Sequence, residues 1–436
     1  MKNTIRFFYF FLVILQLNCH LEKLMSPNSN SDADFTFELA DHQGYAPCKV
    51  EFQNLSDNAI TYEWNFGDAM TSTQPNPSHT YVKPGDYTVT LTITDSEGNQ
   101  ESLSKPVTIK IITFSKFVGN GSYTIHDILE TNKREFWVTG AAYDATDVVG
   151  YLLTSDEWGT ALQEFKDNSF DDLILGFPDS LDFTTRLGNG PNGPYVWAFQ
   201  PPDLFIGHPI PTMERMVDGI VLPDNSWVIA GDGAQQIIVK YQGTATSPGW
   251  EKLIGLDKTT VNNLIATSDG GIAVVGTRFN SANNQRTLFV CKLTATGTVQ
   301  WTYNSFTTSI LQWDIAQTKD ENFMVCGGSG LLKISAAGSK IWDKTYNEGT
   351  FLGIAPTLDN GVVITGNNGA SKTSLVKIDN NGIKVWNRIY DSPGIYDEGR
   401  VVKPTSDCGF IVLSSSGGGW DESPFLIKTD ADGYVY

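Results

Sequence analysis

The stretch KIDNNGIKVW, Lys377–Trp386, has two near-copies upstream, KISAAGSKIW at Lys333–Trp342 and KLTATGTVQW at Lys292–Trp301. In each, an apolar residue follows the Lys, a Gly stands five residues after it and a Trp nine after it. The copies lie 41 and 44 residues apart, too far for a single hairpin and suited to a unit of several strands. Apolar runs ending in Gly recur with the same rhythm: WVIAG at Trp227–Gly231, IAVVG at Ile272–Gly276, FMVCG at Phe323–Gly327 and VVITG at Val362–Gly366. Weaker copies are FWVTG at Phe136–Gly140 and LILG at Leu173–Gly176, and FIVLS at Phe410–Ser414 carries Ser where the others have Gly. These seven anchors are separated by 36, 55, 45, 51, 39 and 48 residues.

Period-2 strands without helices cannot bury themselves one unit at a time, so neighbouring sheets must cover one another. A unit near 45 residues with several strands therefore predicts a β-propeller, and seven anchors predict seven blades. The Trp is expected to wedge between adjacent sheets and the Gly to take a turn conformation closed to bulkier residues. The Lys is expected to lie along its strand with its head in water. From Lys428 to Tyr436 the frame continues to its eighth offset and stops one residue short of the Trp. Near the front of the repeats, Phe114–Gly140 aligns with Trp342–Gly366, which puts Phe114 in the Trp position. Phe114–Val118 is thus expected to complete the blade made by Gly399–Tyr436, closing the propeller with an N-terminal strand and removing exposed edges. Over about 320 residues the frame resembles the repeat of quinoprotein-type and related bacterial propellers.

Composition agrees with an all-β chain. Of 436 residues 40% are hydrophobic and 12% aromatic, which is ample for two or more cores. Gly is frequent and no Ala/Glu/Lys/Leu-rich stretch announces long helices. The net charge is −19, from 49 acidic against 30 basic residues, with no basic cluster beyond Lys2 and Arg6. Nucleic acid and anionic headgroups are excluded as partners of the folded part, since both require a positive patch.

Lys2 and Arg6 precede nine apolar residues, Phe7–Leu15, and then Cys19: a secretory signal, too short to span a bilayer. Gln16-Leu17-Asn18-Cys19 resembles a bacterial lipoprotein cleavage box, which implies acylation of Cys19 and membrane attachment only through that lipid. Residues 20–33 then read as a flexible tether. Cys48, Cys291, Cys326 and Cys408 have no CxxC spacing and stand as thiols, with a Cys291–Cys326 pairing open if their strands are adjacent.

Residues 34–111 alternate apolar and polar residues in short runs separated by Gly, Pro, Asn and Asp, which predicts a two-sheet sandwich. Within them, GYAPCKVEFQNLS, YEWNFGDAMTSTQPNPSHTY and KPGDYTVTLTITDSEGN resemble the polycystic kidney disease (PKD) domain, with its W-x-F-G-D turn, H-x-Y and P-G-x-Y-x-V strand. Ala69 stands where that family usually has Gly. The resemblance implies an immunoglobulin-like β-sandwich in which Trp64 and Phe66 fill the core, Asp68 caps the turn and His79 and Tyr81 brace the neighbouring loop. The fold class is then an immunoglobulin-like sandwich (34–111) followed by a seven-bladed β-propeller (112–436), behind a signal (1–19) and tether (20–33).

Function on such a scaffold resides in its loops. Phe177–Pro211 reads as an enlargement of the second blade, with Tyr195, Trp197 and Phe199 on one strand, and SSSGGGWDE places Trp420 beside Asp421 in a Gly-rich loop. Trp420, Asp421 and Trp197 are the candidate binding residues, suited to stacking on a sugar or anchoring a protein. No catalytic residue is assigned. The five His fall in no metal-ligand spacing, GxSxG is absent, the seven Arg after residue 112 show no grouping, and Thr154–Thr160 only approaches a sialidase-type turn. No metal site or cofactor is expected, exposed carboxylates being compatible with calcium. The expected function is recognition of a protein or glycan at the outer membrane or cell surface, the alternative a glycan-active or other hydrolytic propeller. Carboxylates converging in a central funnel beside an aromatic would favour the alternative.

Overall fold

The computed structural model describes residues 32–436 except 41–43, 119–121, 144–147, 168–171, 179–183, 191–192, 201–203, 210–212, 223–225, 233–235, 243–248, 255–258, 281–282, 308–309, 311, 393, 395 and 419–420. The chain divides between Ile111 and Ile112 into two compact units.

In the first unit the alternation of apolar and polar residues produces two facing sheets. One holds the strands Phe35–Leu39, Cys48–Asn54 and Ser78–Tyr81, the other Thr71–Ser72, Thr61–Asn65, Gly85–Thr94 and Gln100–Ile109. Trp64, Tyr81 and Phe35 are wholly buried between them with Phe66, Leu91 and Ile93. The polar edges of these aromatics are satisfied, as burial requires. Trp64 Nε1 donates to the Gln74 carbonyl at 2.9 Å and Tyr81 Oη to the Phe66 carbonyl at 2.9 Å. The His79 ring stacks on Phe66 at 4.3 Å and meets Asp68 Oδ2 at 2.7 Å, while Asp68 Oδ1 accepts the Met70 N–H. Ala69 holds φ at +72°, the left-handed conformation that Gly takes without strain.

In the second unit, among the described residues, the strands form seven four-stranded antiparallel sheets. Their first strands are Ser122–Glu130, Asp172–Pro178, Arg215–Val221, Thr259–Ala266, Asp314–Gln317, Thr350–Pro356 and Tyr396–Pro404. Each first strand lies against the next, and that of the seventh sheet lies against that of the first. Six sheets are simple meanders. The seventh takes its fourth strand from Phe114–Phe117, which pairs with Asp421–Thr429 so that Phe114 faces Lys428. The repeat Lys and Trp face each other in the same register, Lys292 with Trp301, Lys333 with Trp342 and Lys377 with Trp386, so Phe114 occupies the Trp position.

The repeat Trp packs where wedging requires. Trp301 of the fourth sheet covers Gly338, the hairpin glycine of the fifth, and its Nε1 donates to the Ala336 carbonyl at 2.8 Å. Gly338 holds φ at +84°, and a Cβ there would fall 2.7 Å from the indole, so both the turn and the wedge demand Gly. Trp250 does the same on Gly297, with Nε1 donating to Ala295 O at 3.2 Å. At the sixth hairpin Tyr346 and Lys344 replace the indole, the Tyr346 hydroxyl donating to Gly382 O at 3.1 Å.

Two expectations are corrected. The repeat Lys does not hold its head in water: Lys292, Lys333 and Lys428 are 3%, 3% and 2% exposed. Each ammonium bonds to the Asp of a preceding Thr-x-Asp turn, Lys292 to Asp269 at 3.0 Å, Lys333 to Asp320 at 2.9 Å and Lys428 to Asp407 at 2.9 Å; Lys377 reaches Asp359 at 2.7 Å. The turn Thr donates to the same carboxylate at 2.5 to 2.6 Å. Burying so polar a group requires a charged partner, and the turn supplies it. Snorkelling fails because the sheet on either side closes over the strand.

LILG is also misplaced. It lies in the first strand of the second sheet, and the strand corresponding to the Gly-terminated runs is Thr184–Gly190. Gly188 then follows Gly140 by 48 residues and precedes Gly231 by 43, an evener rhythm than Gly176 allows. Phe177–Pro211 is accordingly no enlargement but the body of this sheet, with Gly193–Gln200 and Leu204–Pro209 as its outer strands. Cys291 and Cys326 are free thiols buried in separate clusters, so they do not pair.

Candidate functional site

In the first, third, fourth, sixth and seventh sheets the residue that ends the apolar run of the second strand, Gly140, Gly231, Gly276, Gly366 or Ser414, faces an irregularity in the first strand. The ladder slips between Met216 and Asp218, Val261 and Asn263, Phe351 and Gly353, Gly399 and Val401, and opposite Thr139 and Gly140. Each slip is a β-bulge that swings the first-strand backbone toward the second, and a Cβ at Gly366 would stand 1.8 Å from the Thr350 carbonyl oxygen. Each bulge leaves one extra residue: His126, Val217, Asn262, Leu352 and Arg400. All five line a single cavity of about 890 Å³ between the first strands. The period-3 appearance of these strands in sequence, D-G-I or N-N-L rather than strict alternation, was the available signal.

One residue past each bulge, Asp127 and Asp218 face the same cavity, joined by Asp314. Asp218 and Asp314 rivet neighbouring sheets. Asp218 accepts the N–H of Gly219 at 2.8 Å and, from the next sheet, that of Leu264 at 2.9 Å. Asp314 accepts Ile315 N–H at 2.7 Å and, from the next sheet, Ile354 N–H at 2.8 Å. Burial pushes the Asp218 carboxyl up to about 7, with Asp127 adding repulsion. Burial likewise raises Asp314 to about 6, against the pull of the Ile354 N–H. Lys403 enters from the seventh sheet, its Nζ 3.2 Å from Asp127 Oδ1. Burial opposes its charge, but Asp127, Asp218 and Asp314 outweigh that and raise its pKa. The ammonium is thus a built-in counterion to three carboxylates.

The rim is of different character. Arg215 opens the first strand of the third sheet and Arg286 lies in the third strand of the fourth; both line the cavity, as do Gln312 and Trp313. Arg215, Arg286 and Arg400 are three of the seven arginines that showed no grouping in the sequence. They stand 71 to 185 residues apart, and only the sheet packing brings them together.

The candidates named from sequence fall elsewhere. Cys19 and Trp420 lie outside the described residues. The backbone of Trp197 sits mid-strand opposite Arg186 and Gly207, and that of Asp421 opens the last strand opposite Gly418; their side chains also lie outside the described residues.

The fold and cavity define an all-β protein that joins an immunoglobulin-like sandwich to a propeller-like set of sheets. Residues 32–111 match the family model of the PKD domain, and this segment is a PKD domain. The chain is 30% identical over 132 residues to collagenase ColA of Bacillus cereus, covering 24% of this chain and 14% of that protein. It is 43% identical over 94 residues to the pre-pro-metalloprotease PrtV of Vibrio cholerae, covering 21% of this chain and 10% of that one. The chain therefore spans about a tenth to a seventh of the length of these relatives. Among solved structures, the PKD1 domain of PrtV is similar at 32% identity, covering 18% of this chain and 96% of that chain with a TM-score of 0.17. The WD40 β-propeller domain of Doa1 covers 71% of this chain and 96% of its own at 12% identity and a TM-score of 0.47.

Proposed function

We propose that this chain is an exported binding protein of the bacterial surface, in which a PKD domain accompanies a seven-bladed propeller closed by Phe114–Phe117. The reading rests on one observation: side chains from the inner strands of six sheets meet in a single cavity of about 890 Å³ with a charged lining. Concave sites of this size with a few convergent polar groups are where ligands bind. The signal and the box around Cys19 support delivery to the outer membrane or cell surface as a lipoprotein, with a protein or glycan as the partner and nucleic acid excluded by the acidic charge. PKD domains accompany larger proteins named as a collagenase and a metalloprotease, which supports a binding or scaffold role for this one.

Asp127, Asp218 and Asp314 beside Trp313 are the arrangement that favours a hydrolase. A carboxyl raised to about 7 suits a general acid. Yet both oxygens of Asp218 and of Asp314 already accept backbone N–H groups, so binding is the better supported reading. The test is retention from envelope extract and from a glycan panel on the immobilised full chain, with mass spectrometry of the mature N-terminus for acylation at Cys19. A component retained by wild type and displaced by its own soluble form supports the reading. Turnover of any panel glycan, lost in Asp218→Asn, would transfer the site to the hydrolase alternative.

A further inference from the structure

We infer that the rim of the cavity recognises the carboxylate of an acidic sugar chain. This deepens the binding reading above and rests on it.

The argument starts from charge. In a chain of net charge −19, a cation can find a carboxylate partner almost anywhere, and some of the other arginines have done so. Arg134 pairs with Glu157 at 3.3 Å and Arg400 with Glu398 at 3.1 Å. Among the described residues the Arg215 side chain has no hydrogen bond or ion pair, and the Arg286 guanidinium rests over the Phe279 ring at 5.3 Å. Both line the same cavity. Asp232, which also lines it, has an interaction of its own. The three deeper carboxylates are already balanced by Lys403 and by backbone N–H groups. The rim therefore presents two guanidinium groups that, among the described residues, form no ion pair with a carboxylate.

A planar guanidinium matches a carboxylate with two parallel N–H···O bonds, which a compact ammonium cannot do. The same lining carries amide and hydroxyl groups, Asn262, Gln312, Thr260 and Thr124, and Trp313. Amides and hydroxyls suit sugar hydroxyls, and the face of an indole suits the apolar face of a pyranose. An acidic peptide would share the carboxylate but not the need for those small polar groups, so the sugar acid is favoured.

The experiment uses the full chain with oligogalacturonate as probe, the matching neutral galactan oligosaccharide as control and a panel of acidic peptides, read by titration calorimetry. Arg215→Ala, Arg286→Ala and the double variant alter exposed side chains, and their melting temperatures check folding. Support consists of oligogalacturonate binding that falls at least tenfold in the double variant, recovers in part in Arg215→Lys/Arg286→Lys, and weakens with salt, while the neutral control stays weak. Oligogalacturonate binding that is absent, or unchanged in the double variant, overturns the inference, as does preference for the peptides. If some other glycan or envelope protein is then retained by wild type and double variant alike, the surface-binding reading survives while this inference falls.

Discussion

Lys428 and Asp407 form an ion pair closed off from solvent: Nζ stands 2.9 Å from Oδ2, and the two side chains are 3% and 1% exposed. Removing one member leaves the other charge buried alone, which costs about 3–5 kcal/mol. Lys428→Met is expected to lower the urea midpoint accordingly at an unchanged slope. Lys428→Met combined with Asp407→Leu should recover most of the loss, since a well-packed apolar pair can replace a buried ionic one. The pair Lys292–Asp269, whose Asp side chain is 52% exposed, should lose clearly less on Lys292→Met.

The Thr-Asp-Lys turns and the cavity carboxylates respond to pH with opposite sign. Burial works against ionisation of Asp269, but the Thr267 hydroxyl, the Lys292 ammonium and the Gly271 N–H outweigh it and hold the carboxyl down at about 2. A folded-state pKa below the unfolded value near 3.9 contributes stability that is full above about pH 4 and lost as pH falls toward 2. Asp218, raised to about 7, contributes stability that is full below about pH 4 and lost as pH rises through 7. The stability of wild type relative to Asp218→Asn should therefore shrink between pH 5 and pH 8, and that of wild type relative to Asp269→Asn between pH 4 and pH 2. Thermal melts across those windows check both signs.

Phe114 is 6% exposed, meets Phe136 at a ring distance of 5.9 Å and fills the space over Gly159. Phe114→Ala is expected to cost about 3–5 kcal/mol through the cavity it leaves. Ser115→Pro should break the ladder opposite Ile427 while keeping the apolar contact. Hydrogen exchange should then rise at Phe425–Lys428 first and leave the third to sixth sheets protected.

Two backbone substitutions test the glycine logic in opposite directions. Gly366→Ala places a methyl against the Thr350 carbonyl and should destabilise by about 1–3 kcal/mol. Ala69→Gly relieves a positive φ of 72° in the PKD domain and should stabilise it by up to about 1 kcal/mol. Differential scanning calorimetry on the full chain reads both.

The repeat was legible because packing imposes it. A Trp that must cover the next hairpin and a Gly that must turn left-handed recur wherever a sheet meets its neighbour, so Trp301 and Gly338 could be assigned roles from spacing. The Lys was misread because strand periodicity says which face a side chain takes and nothing about whether a partner waits there. Asp269, Asp320, Asp359 and Asp407 stand 13 to 23 residues before their Lys, in turns whose Thr-x-Asp pattern passes for ordinary turn chemistry. The second sheet was misregistered because its apolar first strand resembles the second strands of the others. The cavity was the least accessible: Arg215, Arg286 and Arg400 share no motif, and each bulge that turns an extra residue inward is a slip in a ladder that only paired strands can have.

The pairing of Phe114 with Lys428 also sets an order of events in time. A polypeptide synthesised amino end first delivers the strand around Phe114 early and its mate more than 300 residues later, a separation like the 323 between Thr113 and Tyr436, which also hydrogen-bond. Until then that strand has an open flank, and the slow, non-local step of joining it comes last. Refolding interrupted early should therefore trap molecules with six assembled sheets and one unfinished, so that the last pairing is the stage at which this architecture is most vulnerable.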